Sequence, residues 1–152
     1  MKTGDQVPDF ELDDQDGVKR KLSDLLAEGP VVLFFYPAAM TKGCTAESCH
    51  FRDLAAEFAE LGATRVGISA DPVSKQREFA TANNFDYPLL SDPDGSVADM
   101  FGVRRGGLMS GLSPTRRRTF VIDTDRRVLD VISDEVRMQV HADKALSALR
   151  NR

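Results

Sequence analysis

The spacing of apolar positions changes from segment to segment along the chain, and each period predicts an element. After an extended start at "PDFEL" and a turn at "DQDG", the segment "KLSDLLAEG" offers Ser23 as an N-cap and stops at Gly29, which predicts a short helix. "VVLFFYP" is an unbroken β-branched and aromatic run halted by Pro37, the pattern of a strand covered on both faces. Phe51, Leu54, Ala55, Phe58 and Leu61 recur with helical spacing, so one amphipathic helix is predicted from Cys44 to Gly62. "ATRVGISAD" predicts a second buried strand, "PVSKQREFATANN" a helix, "YPLLSD" a short strand and "DGSVADMFG" a short helix ending at Gly102. Three glycines and a proline make "RRGGLMSGLSP" a predicted loop. "RRTFVID" and "RVLDVIS" predict a hairpin turning at Thr124 and Asp125, and "HADKALSALRN" predicts a closing helix.

This order of elements is that of a thioredoxin-like α/β fold, a central mixed β-sheet flanked by helices, with the first two central strands made parallel by a right-handed crossover. A chain of 152 residues suits one such domain. Hydrophobic residues at 41% and charged residues at 29% are values of an ordinary folded protein. The formal net charge of -4 gives no global attraction to phosphate backbones or anionic lipid, so neither nucleic acid nor membrane is an expected partner. No apolar run approaches the roughly 18 residues that cross a bilayer, and "MKTGDQVPDF" lacks a signal-peptide core, so the cytoplasm is the expected location. There, two cysteines five positions apart are redox-active or metal-binding sooner than a structural cross-link.

In the first turn of the predicted helix, Cys44 faces backbone N–H groups without intrahelical partners at the positive end of the helix dipole, which favours thiolate. Making a thiol largely ionised at neutral pH takes about 3.4 kcal/mol, whereas a helix terminus supplies about 0.3 to 1 and at best about 2. A nearby cation or further hydrogen bonds must supply the rest. Cys49 cannot bond to Cys44 while both are helical: five residues at about 1.5 Å separate their Cα atoms by ~7.5 Å and point the side chains about 140° apart. A bond between them requires the helix to unwind. The competing structural reading has both thiols as small buried apolar side chains, and Thr41 simply as an N-cap. His50 and His141 raise a zinc reading with the two thiols, weakened by the absence of a second clustered ligand pair.

At these residues the sequence resembles the peroxiredoxins, and within them the peroxiredoxin Q or bacterioferritin comigratory protein subfamily. The family pattern Pro-x-x-x-Thr-x-x-Cys stands here as Pro37, Thr41 and Cys44, followed by "TAESC" with Glu47 and Cys49, and Arg117 in "RRTFVID" matches the family's arginine. "GDQVPDFEL" and "LLSDPDG" extend the likeness over nearly the whole chain. The resemblance implies a thiol peroxidase of hydrogen peroxide and organic hydroperoxides, without a cofactor and without a bound metal. Cys44 would be the nucleophile, Thr41 and backbone N–H groups would position the peroxide, and Arg117 would stabilise thiolate and leaving oxygen. Glu47 would hold Arg117, and Pro37 would shield the thiolate. The sulfenic acid on Cys44 would condense with Cys49 to a disulfide reduced by thioredoxin or a similar dithiol protein. A monomer or weak dimer is expected. Lys42 departs from the family's usual proline between Thr41 and Gly43. By strand alternation Arg117 shares a face with Thr119 and Val121, while Arg116 and Arg118 share the other and read as solvated charges. The alternative function is a peroxide-sensing switch that signals to a partner without turning over.

Overall fold

The third strand, β3 (Val31–Phe35), sends Val31, Leu33 and Phe35 to one side of a sheet and Val32 and Phe34 to the other, and all five are completely buried. Such burial on both sides is what a continuous β-branched and aromatic run dictates when helices cover each face. The computed structural model describes residues 1–105 and 115–152, so most of the loop predicted at "RRGGLMSGLSP" lies outside the described residues. Around β3 the chain forms β1 (Glu11–Asp13), β2 (Lys19–Lys21), α1 (Leu22–Leu26), α2 (Lys42–Asp53), α3 (Ala55–Glu60), β4 (Thr64–Ser69), α4 (Val73–Asn83) and β5 (Leu89–Ser91). It continues through α5 (Ser96–Met100), β6 (Arg118–Ile122), β7 (Val128–Ile132) and α6 (Val140–Arg150).

The seven strands lie in the order β2-β1-β5-β4-β3-β6-β7. β4 is parallel to both β3 and β5, whereas β6 runs antiparallel to β3, pairing Phe34 with Thr119 and Val32 with Val121. The sheet is therefore mixed and open. One face packs Leu33, Phe35, Val66, Ile68 and Phe120 against Leu25 and Leu26 of α1 and Val97 of α5. The opposite face packs Val32, Phe34, Tyr36 and Val121 against Phe51 of α2, Phe58 of α3, Phe79 of α4 and Ala145 and Leu149 of α6. Gly67 on β4 permits that second layer, because a Cβ there would come within 2.8 Å of Leu89 and 3.0 Å of the Phe34 ring.

Three local expectations need correction, and one strand was not foreseen. Ser23 is not an N-cap: α1 starts at Leu22, and the Ser23 N–H and hydroxyl both donate to Asp9, at 2.9 and 2.8 Å, so a carboxylate from upstream in the chain does the capping. The single helix predicted from Cys44 to Gly62 begins earlier, at Lys42, and is two helices, α2 and α3, separated at Leu54 (φ -97°, ψ 22°). The apolar spacing runs through that break unaltered; what favours it is the Arg65 guanidinium, which donates to the Phe51 carbonyl at 2.8 Å and satisfies a group at the end of α2. The hairpin link extends to Arg126, whose φ of 67° and the register shift at Val121/Ile122 make a three-residue loop with a bulge. Lys19–Lys21, charged throughout, pairs with β1 as an edge strand that no apolar pattern announces.

Candidate active site

The chain leaves β3 through Tyr36 and half-buried Pro37, then turns back into α2 through Met40, a non-glycine residue at φ 69°. The turn is held from the next crossover: the Ala39 N–H donates to Asp71 at 2.7 Å, and Ser69 at the end of β4 donates to the same carboxylate oxygen at 2.6 Å. Thr41 occupies the N-cap position of α2, but its hydroxyl donates back to the Ala38 carbonyl at 2.8 Å instead of capping forward. That bond uses the hydroxyl proton and leaves oxygen lone pairs to accept. Lys42 and Thr41 are exposed, and Cys44, two residues into the helix, is 1% exposed.

Beside Cys44 stands Arg117, immediately ahead of β6 and on the same strand face as Thr119. One guanidinium nitrogen donates to Cys44 Sγ at 3.3 Å and the other terminal nitrogen donates to Glu47 Oε1 at 2.7 Å. Glu47, one helical turn beyond Cys44, is completely buried. Burial pushes its carboxyl up to about 8 against the opposing pull of Arg117, while burial, which would lower Arg117, is outweighed by its contacts with Glu47 and Cys44, which hold it above its ordinary value. Arg116 is exposed, and half-buried Arg118 donates to the Arg117 carbonyl and to Glu135 at 3.2 Å. Glu135 also receives the Arg117 N–H at 3.2 Å, fixing the backbone of that residue from the turn after β7.

Cys49 lies in the same helix as Cys44 and both thiols are free. Its Sγ is 3.7 Å from Asn83 Oδ1 at the end of α4, and Tyr87 donates to the adjoining Ser48 carbonyl at 2.6 Å. The two cysteines are thus held to different neighbours on one intact helix, five residues apart. His50 pairs with Asp143 at 2.8 Å, and His141 is buried against Thr119 at 2.8 Å, so the two imidazoles serve separate contacts. The proximity of His141 to Glu47, with Nδ1 3.5 Å from Oε2, escaped sequence reasoning. A histidine at the head of the apolar stripe Ala142, Ala145, Leu146 and Leu149 was the available signal.

A buried thiol at a helix N-terminus in direct contact with a guanidinium, on a sheet of this topology, defines a thiol peroxidase of the peroxiredoxin class with a thioredoxin-like fold. The AhpC/TSA family model matches residues 3–131, and the chain belongs to that family. Peroxiredoxin Bcp of Escherichia coli is 37% identical over 154 residues, covering 99% of this chain and 96% of that protein. The crystal structure of peroxidoxin BcpB from Mycobacterium tuberculosis superposes with a TM-score of 0.94 at 68% identity, covering 99% of this chain and 97% of the other. The Xanthomonas campestris bacterioferritin comigratory protein, whose structural description reports alkyl peroxide reduction activity, superposes at 0.84 with 30% identity, covering 93% and 90%.

Proposed function

We propose that this peroxiredoxin reduces hydroperoxides by a two-cysteine cycle in which Cys44 attacks and Cys49 resolves. The observation that carries this reading is the Arg117 bridge, 3.3 Å to the Cys44 sulfur and 2.7 Å to Glu47. A guanidinium in that position stabilises a thiolate before reaction and the oxygen anion that leaves during it. In the first step the Cys44 thiolate attacks the terminal peroxide oxygen: an S–O bond forms, the O–O bond breaks, and the departing alkoxide takes a proton to become alcohol or water. Thr41 accepts from the peroxide hydroxyl, backbone N–H groups at the start of α2 hold the other oxygen, and Pro37 limits water at the sulfur.

Cys49 thiolate then attacks the Cys44 sulfenic sulfur, hydroxide leaves as water, and the disulfide forms. Both cysteines lie in α2, so the bond requires α2 to unwind between them. A dithiol protein such as thioredoxin restores the thiols by two exchanges, which fits a reducing compartment. The activity of the Xanthomonas relative supports organic hydroperoxides as substrates beside hydrogen peroxide.

The test is peroxide consumption coupled to NADPH oxidation through thioredoxin and its reductase. Many turnovers are expected, with Cys49→Ser losing sustained turnover and its Cys44 taking a second equivalent to sulfinic acid under excess peroxide. A wild-type protein that itself stopped after one equivalent would overturn the cycle in favour of a sensor.

A further inference from the structure

Behind Arg117, away from Cys44, three buried side chains from three elements meet: Glu47 of α2, Thr119 of β6 and His141 of α6, each 0% exposed. His141 Nε2 lies 2.7 Å from the Asp134 carbonyl, which can accept but not donate, so Nε2 carries a proton. Burial pushes the ring below its ordinary value, which keeps the other nitrogen, Nδ1, unprotonated. Partners at both nitrogens, Thr119 at 2.8 Å and Asp134 at 2.7 Å, fix which way the ring faces. With Nδ1 bare, the Thr119 hydroxyl donates to it, and the consequence is electrostatic: the negative end of the imidazole, already accepting from Thr119, lies 3.5 Å from Glu47 Oε2 and offers that oxygen no proton. That oxygen has no hydrogen-bond donor of its own among the described residues.

An ionised carboxylate would set an undonated anionic oxygen beside a nitrogen that can only accept, in a dry interior, an arrangement that burial penalises. A neutral carboxyl with its proton on Oε2 removes the conflict and leaves Oε1 to accept from Arg117. We infer that His141 is a positioning residue for the proposed Cys44 chemistry: its non-donating nitrogen adds to burial in keeping the Glu47 carboxyl protonated, so that the positive charge of Arg117 is directed at the Cys44 sulfur instead of being neutralised from behind. The inference rests on the peroxidase reading for its effect on rate, but not for the protonation state itself.

Among the described residues, the charged and titratable groups around Glu47 come from four elements. Cys44 is on its own helix and Arg117 stands ahead of β6. On the turn between β7 and α6, the Asp134 carboxylate is occupied by the Val136 and Arg137 N–H groups and the Arg137 side chain, and Glu135 is occupied by Arg117, Arg118 and, at 3.8 Å, Arg105. Glu135 adds a negative field that also raises the Glu47 carboxyl. His141 completes the set from α6.

Two measurements test the proposal. Infrared difference spectra of the reduced protein at neutral pH are expected to contain a carboxylic-acid carbonyl band that disappears in Glu47→Gln. Absence of that band from the wild-type protein overturns the proposal, whatever the protein's activity. Second, stopped-flow peroxide attack is compared across pH between wild type and His141→Gln, whose amide can keep the Asp134 contact. The variant is expected to lose rate by about tenfold near neutrality, where its Glu47 ionises and the wild-type carboxyl does not. The gap closes on the acid side, where Glu47 is protonated in both proteins, and closes again above about 8, where it is ionised in both. In the Glu47→Gln background the same substitution is expected to leave the pH profile unaltered. A gap of equal size at every pH would mean that His141 is structural only and would sink the inference. Failure of the wild type to consume peroxide, with the carbonyl band present, would instead overturn the peroxidase reading alone.

Discussion

On β3, Leu33 and Phe35 enter a cluster closed by leucines of α1 and Val97 of α5, while Val32 and Phe34, one residue away on the same strand, enter a layer that must also accommodate Cys44, Glu47, Arg117 and His141. The first face is filled by shape alone. Phe10, Phe35, Phe101 and Phe120 pack there with ring centroids between 4.8 and 6.0 Å, and nothing in the cluster has to titrate. The second face has Phe34 stacked on Phe51 at 4.1 Å, yet it also buries a guanidinium, a carboxyl, an imidazole and an amide. Each of those groups is held by partners from at least one other element, because an unsatisfied polar atom in such a layer costs about 1–3 kcal/mol. Thus one strand serves two ends: its odd positions secure the sheet, and its even positions back a polar layer in which charge can be aimed.

That division predicts different phenotypes on the two sides. Cys44→Ser, on the polar side, is expected to abolish peroxide consumption, because a hydroxyl is hardly ionised near neutrality; more than a few per cent residual activity would break the comparison outright. Arg117→Ala should slow peroxide attack by about 10²–10³-fold, the size of losing one preorganised donor to a developing oxygen anion. Exposed Arg116→Ala should stay within twofold, and equal effects from the two would reduce Arg117 to diffuse charge. On the apolar side, Leu33→Ala should lower unfolding free energy by about 2–5 kcal/mol in a urea titration and leave the rate constant of the folded fraction unchanged. A fall in that rate constant would show that the faces are coupled.

Smaller effects sharpen the comparison. Glu47 has its carboxyl raised from 4.5 to about 8 in the folded state, so between these values the native protein holds a proton that the unfolded chain has lost. Stability from this group is full below about 4.5 and falls as pH rises toward 8. His141, lowered from 6.5, works in the opposite sense below 6.5. From 6.5 to 8 the Glu47 slope therefore stands alone, at about 1 kcal/mol per pH unit at most, and it should vanish in Glu47→Gln. Denaturant midpoints across that range check it. Last, Tyr36→Phe removes the 2.6 Å bond to Gln76 and should cost about 1 kcal/mol with little change in rate.

Much of this layout was legible in the chain. The run at β3 announced a doubly covered strand; counting by two separated Arg117 from Arg116 and Arg118, and the family resemblance chose between the two faces. The start of a helix at Cys44 followed from position after that strand. Other features had no local signature. Edge strand β2 consists of Lys19, Arg20 and Lys21 and owes its conformation to pairing with β1. The break at Leu54 is set by Arg65, eleven positions on, and the capping of α1 by Asp9, thirteen positions before Leu22. His141 reaches Glu47 only because α6 docks over β6 and β7, bringing together residues 94 positions apart; nothing in either segment marks the pairing.

The interruption at Leu54 also bears on how far a disturbance in α2 can spread. Helices melt cooperatively because each residue released removes support from the next, and re-forming a turn carries a nucleation penalty. Twelve residues of α2 and six of α3 joined without a break would melt as one body. Separated at Leu54, with the Arg65 guanidinium on the Phe51 carbonyl, they have a boundary between them, bridged by the Phe51 ring stacked on Phe58 at 5.8 Å. In the proposed cycle, unwinding around Cys44 and Cys49 would then have a stopping point. The break is the equivalent of an expansion joint: one segment could lose and regain its order while α3 keeps its place over the sheet.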